Sequence, residues 1–235
     1  TVGNGIIGKK QELEYKQLTN VSMSANLKAK GNVFAKYCQY AEIKCRNLRI
    51  EKQMMHSIIN VEEKLWLGTE SKANGKLIAG FISAGTSVHA GTIGATAGST
   101  TIITFNKKIN HLIQIHEELE LKLKDESEKV TKLKIAMNKM KALPNDTAKQ
   151  NSLNKTIFTY RHHADYMGDL RHEKGLLEEQ IKLYMCSVYV EANEKMYQGV
   201  QVVVGDYQEK TKREYGPSRM GYKERKVFIS PIINT

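Results

Sequence analysis

The feature that most limits what this chain can fold into is a short apolar motif that recurs at a near-constant spacing. Each copy is two three-residue stretches, apolar at both ends, joined by a short corner. Leu27-Lys-Ala29 with Val33-Phe-Ala35 is one copy, and Ile43-Lys-Cys45 with Leu48-Arg-Ile50 is the next. Ile59-Asn-Val61 with Leu65-Trp-Leu67 and Ile82-Ser-Ala84 with Val88-His-Ala90 complete the series. The copies begin at residues 27, 43, 59 and 82, so two spacings of 16 precede one of 23, lengthened by an insertion around residues 68 to 75. Alternation with period two marks strands that bury one face. One further apolar residue falls between copies: Cys38, Met54, Leu77 and Ile93. Three short sides per turn, stacked at this period, predict a parallel β-solenoid. A single rung cannot bury its own inner face, so neighbouring rungs stabilise one another. Ala29, Ala35, Ala84 and Ala90 suit a narrow interior, and Gly31, Gly85 and Gly91 are expected at corners that need positive φ or tight turning.

The Gly-, Ala-, Ser- and Thr-rich stretch from 74 to 99 reads as part of this repeat, because its apolar phase matches the other three copies. It is not a phosphate-binding loop. Gly94-Ala-Thr-Ala-Gly98-Ser-Thr lacks the lysine such a loop places before its hydroxyl residue, and no helical pattern follows at once.

From Ile109 the period changes. Ile109, Leu112, His116, Leu119, Leu123, Glu126, Val130, Leu133, Met137 and Met140 advance in steps of three and four, a coiled-coil seam with two polar members. A second row holds Leu153, Ile157, Tyr160, Ala164 and Met167, then changes phase near Gly168 to Leu170, Leu177, Ile181 and Tyr184. Between the rows, Pro144 breaks the helix, and Asn145 or Asp146 is placed to cap the next one. So short a connection predicts an antiparallel hairpin with its tip near Pro144.

Strand patterns return in Ser187-Val-Tyr-Val190, in Val200 to Val204 and in Lys226-Val-Phe-Ile229, with residues 209 to 225 read as an exposed loop. These strands are expected to cap the solenoid's open end. The fold class is thus mixed, a parallel β-helix with a long antiparallel coiled-coil hairpin inserted before the last strands. The expected domains are residues 1–105, 106–185 and 186–235.

No run approaches the roughly 18 apolar residues that would span a bilayer. Three cysteines without metal-type spacing (Cys38, Cys45, Cys186) suit reduced thiols in the cytosol. The net charge of +11 comes from dispersed lysines, which reads as a solvated surface more readily than as a nucleic-acid or membrane footprint.

The order of these segments resembles the flagellar assembly protein A family. The resemblance is carried by Gly31-Asn-Val-Phe-Ala-Lys36, Gln39-Tyr-Ala-Glu-Ile43, His56-Ser57, Gly75-Lys-Leu-Ile-Ala-Gly80, Ala90-Gly-Thr-Ile-Gly-Ala95 and Gln198-Gly-Val-Gln-Val-Val-Val-Gly205. It covers most of the chain and matches the family's C-terminal half, so a longer N-terminal part is expected. The resemblance implies a bacterial, cytoplasmic scaffold or adaptor recruited to the cell pole. It would support polar flagellum assembly and motility by protein–protein interaction, without catalysis, metal or cofactor. The implied partners are polar landmark, flagellar-regulatory or signalling proteins, not small-molecule substrates. Arg46-Asn47 stands where relatives often have a glycine-rich corner. Two other functions stay open: a polymer-acting β-helix enzyme, and a basic nucleic-acid or membrane-surface binder.

Candidate chemistry is sparse. His162, His163 and His172 lie near Asp165, Asp169 and Glu173, but their spacing does not bring three ligands to one helix face, so a solvated face is expected. Cys38 and Cys45 fall on inward positions and read as packed thiols. His116 reads as a partly solvated seam residue or a register-setting one. Glu62 and Glu63 share a corner and point apart, against paired-carboxylate chemistry. The middle residues of the second strands, Phe34, Arg49, Trp66 and His89, fall in one outward column. That column is the expected partner-binding site unless the helical hairpin covers it.

Overall fold

The computed structural model describes residues 4–10, 23–142, 144 and 147–233. Strands β1 (Gly5–Ile7), β2 (Ala25–Lys28), β3 (Val33–Gln39), β4 (Ala41–Cys45), β5 (Leu48–Val61), β6 (Lys64–Leu67), β7 (Lys76–Ser83), β8 (Ser87–Ile93) and β9 (Thr101–Thr104) come first. Two long helices follow, α1 (Asn106–Lys141) and α2 (Thr147–Ser187). Then come β10 (Tyr189–Met196), β11 (Val200–Val204), β12 (Tyr207–Lys210), β13 (Ser218–Lys223) and β14 (Lys226–Pro231). By internal contacts the chain divides into residues 1–110 with 184–235, and residues 111–183.

The first unit is a stack of parallel ladders whose register follows the sequence repeat. Leu27, Ile43, Ile59, Ile82, Ile103 and Val202 succeed one another as register partners. So do Val33, Leu48, Leu65, Val88 and Val190. Cys38, Met54, Leu77, Ile93 and Met196 form a third column. All these side chains are buried except Leu27, which is half-buried in β2. Each buried aliphatic side chain contributes about 1.5–3 kcal/mol, so the three columns supply a large part of the unit's core, beside other buried residues such as Ile50, Val61, Leu67 and Phe105. After the helices the chain rejoins the same stack: β10 pairs with β8 and β11 with β9, both parallel. The remaining pairs, β11–β12, β10–β13 and β13–β14, are antiparallel.

Four expectations need correction. Gly85 and Gly91 do not adopt positive φ. They supply room: a Cβ at Gly85 would overlap the carbonyl oxygen of Glu62, and one at Gly91 would come within 2.7 Å of the Asn74 backbone. Gly31 has neither a positive φ nor a close neighbour. The left-handed corner residues of consecutive rungs are Tyr40 (φ 51°), His56 (φ 44°) and Ala79 (φ 53°), each at a cost of order 1 kcal/mol. The Tyr40 and His56 rings stack at 5.3 Å. At the Arg46-Asn47 corner no glycine is needed, because the Asn47 side chain accepts the Lys64 N–H at 3.0 Å and donates to Asn32 and Glu63.

The two other corrections concern segment ends. Ser187, expected in a strand, closes α2, and the strand begins at Tyr189. Residues 209 to 225 are not one exposed loop. They include β13, in which Ser218 and Met220 are buried beneath the β10 register partners Ala192 and Val190. Their alternation is short and set among cations, which hid it.

In the second unit the buried residues Leu112, Leu119, Leu170 and Leu177 pack together, with Ile115, Leu123 and Ile181 against them. Contacts run along the two helices in opposite order: His116 with Glu178, Glu120 with Lys174, Glu126 with His163. The helices therefore run antiparallel. α2 continues unbroken through Gly168. The expected caps, Asn145 and Asp146, lie outside the described residues.

Candidate interaction surface

Parallel in-register strands place equivalent residues about 4.8 Å apart, so one outward position per rung becomes a continuous column. Phe34 pairs with Arg49, Arg49 with Trp66, and Trp66 with His89. The four expected residues are therefore brought together on one wall of the first unit. They do not stand free, however. The Arg49 guanidinium sits 4.4 Å over the Phe34 ring, and the Trp66 and His89 rings lie 5.0 Å apart. Trp66 donates its indole N–H to the carbonyl of Thr69 at 2.7 Å, and Arg49 bonds Glu70 at 2.7 Å. Mutual stacking leaves each of them half-buried.

The column continues past the expected set. His89 pairs with Glu191 and Glu191 with Arg219. Tyr189 meets the His89 ring edge-on at 5.3 Å, Arg219 lies 4.3 Å over Tyr189, and Arg219 bonds Glu191 at 2.7 Å. The sequence reading missed Tyr189, Glu191 and Arg219 because the helices separate them from the repeats. The signal was present in Ser187-Val-Tyr-Val190, whose apolar phase turns Tyr189 outward. Burial holds the His89 imidazole below the usual histidine range, against the opposing pull of Glu191. The wall presents flat rings and two guanidinium groups whose charges are matched by Glu70 and Glu191.

The other candidates are accounted for by packing. Cys38 is buried beside Ser57, at 3.4 Å, and burial pushes its thiol up to about 11. Burial, aided by Glu62, does the same to Cys45, also up to about 11. Thiols so raised are poor nucleophiles at neutral pH. Of the three histidines on α2, His163 is not on a solvated face: its Nδ1 lies 2.6 Å from Glu126. His162 and His172 are exposed. Among the described residues no group of three or more histidine, cysteine, aspartate or glutamate side chains is arranged to hold a metal ion. Glu63 is engaged by Asn47 and then Arg46, whose hydrogen bonds hold its carboxyl below the usual range. Among those residues, no helix is long and apolar enough to cross a membrane.

The family model described as "Flagellar Assembly Protein A beta solenoid domain" matches residues 1–227. No curated protein and no solved structure matches the chain.

Proposed function

The chain belongs to the Flagellar Assembly Protein A beta solenoid family, and we propose that it serves flagellar assembly as a non-catalytic scaffold that binds a protein partner through the Trp66 wall. In this reading residues 1–105 form a parallel β-helix, residues 106–185 an antiparallel coiled-coil hairpin, and residues 186–235 the returning strands that cap the solenoid. The partner is a polar landmark, regulatory or signalling protein met in the cytoplasm at the cell pole.

One observation carries the reading: the unbroken column from Phe34 through Arg49, Trp66 and His89 to Tyr189 and Arg219. Aromatic and arginine side chains dominate interface energetics, because they bury large area at little cost in conformational freedom. Here stacking fixes them in advance, which lowers the ordering cost of association.

The test is a photo-crosslinking residue at Glu70, which is 83% exposed beside Arg49, so that the replacement removes one exposed ion pair and none of the column's rings. In cells building flagella it is expected to yield a discrete adduct with a flagellar or polar protein. A crosslinker at Lys124 on α1 serves as the comparison. Equal adducts from both positions, or none from Glu70, would overturn the assignment of the binding face.

A further inference from the structure

We propose that a second face of the first unit, the wall built by β2, β4 and the end of β5, is a docking groove for an acidic peptide segment of a protein partner. It lies across the Gly31-Asn32 corner from the Trp66 wall and does not rest on that wall's role.

Register places Lys28 directly beside Lys44, and Lys44 beside Asn60. Like charges facing each other across a ladder destabilise it. Lys44 is relieved by Glu42 at 2.7 Å. Among the described residues Lys28 and Lys30, two positions on, have no carboxylate partner. A fourth cation comes from another element. Lys107, in the first turn of α1, reaches the neutral amide oxygen of Asn60 at 3.3 Å. That turn holds no acidic residue, and a cation there opposes the helix dipole.

Two independent unfavourable placements thus converge on one groove of about 340 Å³, lined by the four lysines with Asn60 and Glu62. The fold does not demand the first of them: Asn60 fills the next place in the same column without charge. An anion in the groove would relieve both. The carboxylates of Glu42 and Glu62 temper the potential, so the groove suits a short, moderately charged segment better than the dense phosphate track of a nucleic acid or a lipid surface.

The test measures fluorescence anisotropy of a labelled peptide of alternating glutamate and serine, at low salt, with the full chain. The double variant Lys28→Gln/Lys107→Gln is expected to weaken binding about tenfold, from two lost charge contacts. Lys223→Gln/Lys226→Gln removes the same charge from the β13–β14 turn and is expected to stay within about twofold of the unaltered chain. No saturable binding, or equal losses in the two double variants, would refute the groove. Tighter binding of duplex DNA or of phosphatidylserine vesicles, lost in the Lys28/Lys107 variant, would refute the acidic peptide and assign the groove to that ligand instead.

Discussion

His163 Nδ1 lies 2.6 Å from Oε2 of Glu126, within the apolar row that otherwise joins α1 to α2. The second polar member of that row, His116, is answered in the same way by Glu178 at 3.0 Å. Both intruders in α1 therefore meet an ionisable partner on α2. A polar pair inside an apolar seam adds little stability but penalises every misregistered alignment, in which it would be buried without its partner. Hydrogen bonds from Lys129 and then His163 hold the Glu126 carboxyl below its usual range.

Glu126→Ala and His163→Ala should each lower the melting midpoint followed by helical circular dichroism. The double variant should lose less than the sum, because the two side chains act as one unit. Strictly additive losses would show that they are not coupled.

Substitutions on the rungs should separate room from conformation. Gly85→Ala forces a Cβ onto the Glu62 carbonyl and should cost about 1–3 kcal/mol. Ala84→Lys buries a charge at a position 1% exposed and should cost about 3 kcal/mol or more. Gly31→Ala meets nothing and should be neutral or raise stability by about 0.5 kcal/mol. Denaturant unfolding measures all three. An unchanged midpoint for Ala84→Lys would refute the inward register.

Acid should weaken the first unit in a defined window. Burial lowers the folded-state affinity of His89 and His56 for a proton below the ordinary value of 6.5. The unfolded chain then binds more protons as pH falls through that value, so this contribution is complete above it and lost below it. The melting midpoint should fall as the pH is lowered through about 6.5 and below, and His89→Gln should flatten the slope. A midpoint that rises on acidification would contradict the assignment. The lowered carboxyl of Glu63 acts in a separate window, below its ordinary value of 4.5.

The helical unit should be separable in part. Replacing residues 127 to 162, beyond the Glu126–His163 pair, with a short Gly-rich turn should leave the stacked strands folded, since each rung contacts only its neighbours. Loss of all folded protein on that replacement would show that the outer half of the helices belongs to the core.

The three inner columns were legible in the sequence because strand alternation and a fixed repeat leave only one phase that buries Ile43, Ile59 and Ile82 together. The helical row was legible for the same reason, down to its polar members. The left-handed corners were not, because Tyr40, His56 and Ala79 are not residues that advertise positive φ. Nor were β13 and the far end of the Trp66 column. Register partners such as His89 and Glu191 are joined by the stack, not by nearness in the chain. The column's exposure was misjudged because a position pointing outward is not bare when its neighbours stack on it.

The most direct test of the account asks whether the Trp66 wall serves assembly. Trp66→Ala removes the ring that stacks on His89 and should cost about 1 kcal/mol of stability, too little to unfold the chain. Truncating a central interface tryptophan typically costs about 2 kcal/mol or more of binding, roughly thirtyfold in affinity. Flagella are counted in cells whose only copy of the protein carries Trp66→Ala, with its level matched to that of the unaltered protein. The account predicts a marked loss of flagella at matched protein level. Normal flagellation at that level would contradict it.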